Sequence, residues 1–293
     1  MSLAEYLSVQ QGRIDAALDA CVPPETEPPH SIHKAMRYSL FAGGKRIRPI
    51  LFIAAAYAIS ELAPGAERAA CSLELVHTYS LIHDDLPALD NDDLRRGVPT
   101  CHKKFNEATA ILAGDALLTL SFQVLSSLPI DAGRRIQLVD ELATASGTMG
   151  GMIGGQVHDI EGEGQPPTAA LLDAIHRAKT GALLRASVRM GAIFAGAGHH
   201  QLNALSAYGE HVGLAFQIVD DVLDVEQSSE ALGKTAGKDA QQRKITFPAV
   251  YGLERSRTMA EQERLAAHLA LSPLGDRAER LRELADLIVT RKA

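Results

Sequence analysis

The chain has 293 residues, 46% of them hydrophobic, enough to bury a large core and close to the roughly 250 to 300 residues at which one domain stops growing. Its formal net charge of -7, with 4% aromatic residues and no Trp, excludes the basic stripe and stacking platforms of a nucleic-acid binder. Three cysteines, Cys21, Cys71 and Cys101, show no CxxC or zinc spacing and suit reduced thiols in the cytoplasm.

In chain order, Glu5, Arg13 and Asp15 fall where an export signal needs an apolar stretch, so a cytoplasmic chain is expected. A first break stands at "PPETEPP" (Pro23 to Pro29) and a second at "APG" (Ala63 to Gly65). Between them the apolar run Ile50 to Ile59 is about half a membrane span, and reads as a buried core helix with no stable membrane anchor. Further breaks fall at "RRGVP" (Arg95 to Pro99), "EGEGQPP" (Glu161 to Pro167) and "LSPLGD" (Leu271 to Asp276). The segments between are rich in Ala and Leu with a 3.6-residue apolar period, as in "TAALLDAIHRAKTGALLRASVRMGAIFAG", and strict alternation is scarce. An all-α fold is expected: a single-domain bundle of about ten helices over residues 1–293, neighbours packed antiparallel. Gly147, Gly151 and Gly155 stand at four-residue steps, as on one helix face where absent side chains permit close packing.

The stretch "SLIHDDLPALDNDDLRRG" (Ser80 to Gly97) carries Asp84, Asp85, Asp90, Asp92 and Asp93. Without a bound cation their mutual repulsion raises their pKa values and destabilises the segment. An EF-hand loop begun at Asp90 would put Leu94 and Arg95 where an oxygen ligand and a glycine are needed, which rejects calcium. Mg²⁺ takes one or two carboxylates, keeps several waters and completes its shell with phosphate, and Arg95 and Arg96 then gain a purpose as phosphate donors. Asp90 lies six residues after Asp84, about 240° around an ideal helix, so the helix must end or kink near Pro87 for the two to meet. The bland reading of such a cluster is a solvated acidic turn.

A second cluster weighs against that. In "LAFQIVDDVLDV" Asp220 and Asp224 share a helix face beside Asp221, on a helix that is otherwise apolar. Paired acids in a buried helix need a cationic partner. Two such helices facing each other would hold a cluster of Mg²⁺ ions.

"DDLPALD" (Asp84 to Asp90) and "DDVLD" (Asp220 to Asp224) resemble the two aspartate-rich motifs of the trans-isoprenyl diphosphate synthases, with the first spaced as in bacterial short-chain, farnesyl-forming members. "GGKRIRP", "DDLRRGVPTCH", "AGDALL", "GGQVHD", "KTGAL", "LGK" and "RKITFP" agree, so the match runs from about residue 30 to residue 250. The basic blocks are common on surfaces singly; their order beside both acid motifs carries the reading.

The resemblance implies a homodimer with a central active-site cavity, in which an allylic diphosphate ionises and joins isopentenyl diphosphate. It places Mg²⁺, three ions per site with Mn²⁺ as a substitute, on Asp84, Asp85, Asp90, Asp220, Asp221 and Asp224. Arg95, Lys179, Thr180, Gln217, Lys234 and Lys244 would bind the allylic diphosphate. Lys45, Arg48, His77 and Arg96 would bind isopentenyl diphosphate without metal. Thr180 and Gln217, with the Lys179 backbone, would stabilise the carbocation, and the released diphosphate would take the proton. Tyr79 and Ser80, five and four residues before Asp84, would lie deeper along the prenyl tail, with Tyr79 a floor that stops growth at fifteen carbons. Asn91 stands where relatives often carry an acid, and Lys238 adds a cation of unassigned role. A class I terpene cyclase would carry an Asn/Ser/Glu motif in place of "DDVLD". A silent regulatory subunit of the same fold is separated from an enzyme by turnover.

Overall fold

The computed structural model describes residues 1–60, 64–226 and 244–291; Lys234 and Lys238 lie outside these. The described residues are almost wholly helical, as expected, and gather into two compact units.

The first unit comprises Met1–Ile50 and Pro64–Val139. It contains α1 (Leu3–Cys21), α2 (His30–Leu40), the start of α3 (Ile47–Ile59), α4 (Ala66–Asp84), α5 (Cys101–Lys104), α6 (Glu107–Ser126) and the first half of α7 (Ala132–Ser146). Helix α1 starts on a capping box: the Glu5 N–H donates to Ser2 Oγ and the Ser2 N–H to Glu5 Oε2. Helix α4 is its axis, packed on α1, α2 and α6. It buries residues on every side, including Ala69, Cys71, Leu73, Leu75 and Val76, as a helix enclosed by neighbours must. Helix α6 is long and apolar enough to cross a membrane by length and composition, and it lies against α2 and α4. Gly114 lets it approach α4, because a side chain there would enter the His83 imidazole.

Arg46 anchors this unit. At a left-handed φ of 51° it turns the "GGKRIRP" loop into α3. Its guanidinium, in a residue 3% exposed, donates to Asp15 Oδ1 (2.8 Å), Glu74 Oε1 (2.8 Å) and the Leu40 carbonyl (2.8 Å). The "RRGVP" break is a two-stranded hairpin, β1 (Leu94–Arg95) with β2 (Val98–Pro99), the one pair of strands among the described residues. Its two corner residues, Arg96 (φ 55°) and Gly97 (φ 78°), both take positive φ, the conformation that matches strand twist in a two-residue turn.

The second unit comprises Leu51–Ala63 and Asp140–Ala293. It holds the rest of α3 and α7, then α8 (Met152–Gly162), α9 (Ala169–His176), a π turn (Arg177–Gly181), α10 (Ala182–Phe194) and α11 (His199–Glu226). Helices α12 (Phe247–Tyr251), α13 (Leu253–Ala270) and α14 (Glu279–Thr290) follow, with a 3₁₀ segment at Ser272–Ala278. Helix α11 packs on α10, α13 and α14. The apolar run of α3 is buried as expected except at Tyr57, which is exposed, with Phe52 against Phe194 at 5.6 Å between ring centres.

The glycine series departs from expectation. Helix α7 ends at Ser146 and α8 begins at Met152, so Gly147, Gly151 and Gly155 do not share one helix face. Gly150, at φ 71°, holds the break in a left-handed conformation that glycine adopts without steric cost. Close packing is real at Gly155, whose missing side chain leaves room for the backbone of Lys179. Gly155→Ala is expected to cost about 3 kcal/mol, since backbone cannot yield as a side chain can; the thermal midpoint measures it, with Gly12→Ala, at a helical glycine in open space, as the comparison.

Candidate active site

In the first unit α4 stops at Asp84, and the chain turns back on itself over the next six residues. The Asp90 N–H donates to the Asp84 carbonyl (2.8 Å), the Asn91 N–H to Leu86 (3.1 Å) and the Asp92 N–H to Asp85 (3.1 Å). Asp84 and Asp90 are thereby brought side by side, as the Pro87 spacing requires. Asn91 has a left-handed φ of 49°. Asn tolerates that region better than most residues, a backbone reason for its presence among acids.

Asp85 faces the other way. Its residue is 3% exposed, and it grips Arg95 in a fork: Nε donates to Oδ1 (2.8 Å) and Oδ2 (3.0 Å), Nη2 to Oδ1 (2.6 Å). Burial raises the Asp85 carboxyl above its ordinary range, against the pull of Arg95. Asp85 thus orients a cation, a contact that sequence alone did not reveal.

Arg96 donates to the Gly43 carbonyl, and Gly44 makes room for it: a side chain at Gly44 would stand 2.6 Å from the Arg96 Nη1. This explains the paired glycines of "GGKRIRP". Burial, then the fields of Arg48, Arg96, Arg95 and Arg46, hold the His77 imidazole well below its ordinary pKa. His77 is therefore neutral and sits among four guanidinium groups. Lys45 is exposed and Arg48 half-buried on the same loop and helix start. The structure thus places Lys45, Arg48, His77, Arg95 and Arg96 in one unit with Asp84, Asp85 and Asp90.

Tyr79 lies on α4, 6% exposed, its ring edge-on to His83 at 5.5 Å. Burial and then the charges of Asp84 and Asp115 push its hydroxyl up to about 12, so it is a neutral, bulky group at working pH. Ser80, half-buried, turns its hydroxyl to the His77 carbonyl (2.9 Å).

In the second unit Lys179 and Thr180 lie on the π turn, a single wide turn between α9 and α10 of a kind frequent at functional sites. Lys179 Nζ donates to Asp159 Oδ2 (2.6 Å), the last residue of "GGQVHD". Gln217, Asp220, Asp221 and Asp224 lie on α11. Asp220 accepts from Arg291 Nη2 (3.0 Å), whose guanidinium also stacks over Phe216 at 3.9 Å. Asp221 is 3% and Asp224 6% exposed, whereas the Asp220 side chain is 47% exposed. Lys244 is half-buried just before α12. Asp159, Arg291 and the buried pair partner Glu74 are residues that spacing could not point to, since each acts on a side chain distant in sequence.

Among the described residues no three carboxylate, His or Cys groups close around a metal by themselves. Asp84 with Asp90, and Asp220 beside Arg291, are all-oxygen donor sets of one or two carboxylates, which fits Mg²⁺ completed by water and phosphate and not a closed zinc-type cage.

Comparisons with known proteins agree. The polyprenyl synthetase family model matches residues 29–285. The chain is 45% identical over 272 residues to a farnesyl diphosphate synthase of Geobacillus stearothermophilus, covering 92% of this chain and 89% of the relative. It is 48% identical over 268 residues to geranylgeranyl pyrophosphate synthase 12, chloroplastic, of Arabidopsis thaliana, covering 89% and 74%. A crystal structure of an FPP/GFPP synthase from Zymomonas mobilis superposes with a TM-score of 0.87 at 37% identity, covering 98% and 99% of the two chains. With both acid motifs, the basic loop and the fold in place, the chain belongs to the polyprenyl synthetase family of trans-prenyl diphosphate synthases.

Proposed function

We propose that this enzyme condenses isopentenyl diphosphate with dimethylallyl and then geranyl diphosphate, releasing farnesyl diphosphate. The observation that carries the reading is the gathering of Arg48, Arg95 and Arg96 around a neutral His77, in the same unit as Asp84 and Asp90, which the turn at Pro87 brings together. Such a site takes one diphosphate on side chains alone and a second with metal.

Enzymes of this family use divalent metal ions; we take the ion to be Mg²⁺, three per site, with Mn²⁺ able to replace it. Asp84 and Asp90 would hold it in the first unit and Asp220 in the second. When bound, it neutralises the charge that builds on the departing allylic diphosphate. Arg95, held by Asp85, and Lys179, held by Asp159, are cations each fixed within its own unit, so either would meet a departing diphosphate with little reorganisation. Lys244 and Lys234 would add to them. Lys45, Arg48, His77 and Arg96 would bind isopentenyl diphosphate as hydrogen-bond donors that induce no ionisation.

Carbon–carbon bond formation needs no enzymic base, because the released diphosphate accepts the proton. Thr180 and Gln217 supply the negative ends of their dipoles to the allylic cation. The family match spans both units, which supports one polyprenyl synthetase domain over residues 1–293. The exposed Ile111 and Leu112 on α6 support a homodimer, and the three free thiols a cytoplasmic setting.

The test is incubation with isopentenyl and dimethylallyl diphosphates, with and without Mg²⁺, followed by dephosphorylation and chromatography of the alcohols. Metal-dependent farnesol is the expected result; no alcohol would leave a silent subunit. Product length has its own prediction. The relatives include synthases named for fifteen-, twenty- and twenty-five-carbon products, so length turns on local bulk. Tyr79→Ala opens the α4 wall and is expected to move the main product from farnesol to geranylgeraniol or longer. An unchanged alcohol profile would remove Tyr79 as the floor.

A further inference from the structure

Asp221 is 3% exposed, and both of its carboxylate oxygens are engaged within the protein. Oδ1 accepts from Gln217 Nε2 at 2.7 Å. Oδ2 accepts from the Phe247 backbone N–H at 2.9 Å and lies 3.5 Å from His176 Nε2. His176 stacks on the Phe247 ring at 5.4 Å, and burial holds it neutral with a pKa of about 4. Asp220, one residue earlier, has nearly half its side chain open to solvent.

In the 2.7 Å bond the Gln217 amide nitrogen is the donor and the Asp221 carboxylate oxygen the acceptor. The Gln217 amide must therefore turn its NH₂ toward Asp221 and its carbonyl oxygen away. We propose that Asp221 is a positioning residue and not a metal ligand: it locks the Gln217 amide so that the carbonyl oxygen is the end offered to the allylic cation. This rests on the prenyl-transfer reading given above.

The electrostatic consequence is large for so small a device. A fixed amide oxygen stabilises a developing positive charge with no reorganisation, whereas the flipped amide would present its partly positive NH₂ to the same charge. Phe247 makes the lock rigid, because a backbone N–H at the start of α12 cannot rotate as a side chain can. The same carboxylate therefore braces α12 and sets the direction of Gln217.

The test compares Asp221→Asn, Asp220→Asn and the double variant Asp221→Asn/Gln217→Glu. In Asp221→Asn the new amide must keep its oxygen on the Phe247 N–H, so its NH₂ faces Gln217 and forces that amide to flip. In the double variant the same NH₂ meets a carboxylate, and an oxygen again points away from position 221. Mn²⁺ binding, followed by paramagnetic resonance with a non-ionisable allylic thiolodiphosphate, supplies the readout that is independent of turnover.

Asp220→Asn is expected to weaken Mn²⁺ about tenfold or more, and Asp221→Asn to leave it within about twofold while turnover falls about 30-fold. The double variant is expected to recover about tenfold of that loss. Weakened Mn²⁺ binding in Asp221→Asn comparable to that in Asp220→Asn, or a double variant no faster than the single, overturns the proposal. Wild-type protein that forms no prenyl alcohol would instead refute the function on which it rests.

Discussion

Asp84→Asn is expected to lower turnover about 10³-fold while leaving the thermal midpoint within a few degrees. The carboxylate ends α4 at a point where the chain folds back through the 2.8 Å bond from the Asp90 N–H to the Asp84 carbonyl, a backbone contact that the substitution keeps. What is lost is one negative oxygen from a two-carboxylate set. An amide oxygen carries no net charge, so the metal is held less tightly just where charge develops on the leaving diphosphate. The measurement is incorporation of labelled isopentenyl diphosphate into acid-labile product across a Mg²⁺ titration. Asp93→Asn serves as the comparison: Asp93 pairs with Lys103 at 2.8 Å with its side chain 75% exposed, and its loss is expected to change turnover less than twofold. Equal losses in both variants would mean that the whole acidic stretch acts as a diffuse field and not through Asp84.

The second large effect is on stability. Arg46→Met is expected to destabilise the protein by about 3 to 5 kcal/mol, because removing one partner of a buried ion pair strands the other. Glu74, in the middle of α4 and 2% exposed, would lose the guanidinium that sits 2.8 Å from it. Asp15, the second acid on Arg46, has a side chain 38% exposed and can be resolvated. The double variant Arg46→Met/Glu74→Met is therefore expected to regain much of the loss. Urea denaturation followed by circular dichroism measures both. A single variant within about 1 kcal/mol of wild type would show that water or another cation reaches Glu74.

The helical architecture and the acid motifs were legible in the sequence because both depend on residue type and spacing. Apolar period located the helices, and the six-residue step across Pro87 required the turn that brings Asp90 to Asp84. What spacing could not convey is the direction of a lone pair. Asp84 and Asp85 are neighbours of one type, yet Asp85 turns inward to Arg95; Asp220 and Asp221 differ likewise. Such divisions of labour arise from partners far along the chain, Arg291 for Asp220 and Phe247 for Asp221. The break at Gly147 to Gly151 is hidden in the spacing because four-residue steps are compatible with one helix face, while the cost of consecutive glycines favours a turn. The arginine hairpin shows in the sequence only as a break because two-residue strands are too short for alternation to register.

The π turn at Arg177–Gly181 has a bearing on how this chain tolerates insertion and deletion. One wide turn is equivalent to a single extra residue between α9 and α10, and removing any one residue there would let the helix run straight. Because the wide turn absorbs that extra residue, α10 would keep its phase relative to α9, and the change would fall on the turn itself. The buried stripe of α10, with Leu183, Leu184, Ser187 and Met190, would stay on α11, while Lys179 would leave Asp159. A scan of single-residue deletions should thus find turnover lost but folding kept over these five positions, while the exposed Glu163–Pro167 link before α9 accepts shortening with both intact.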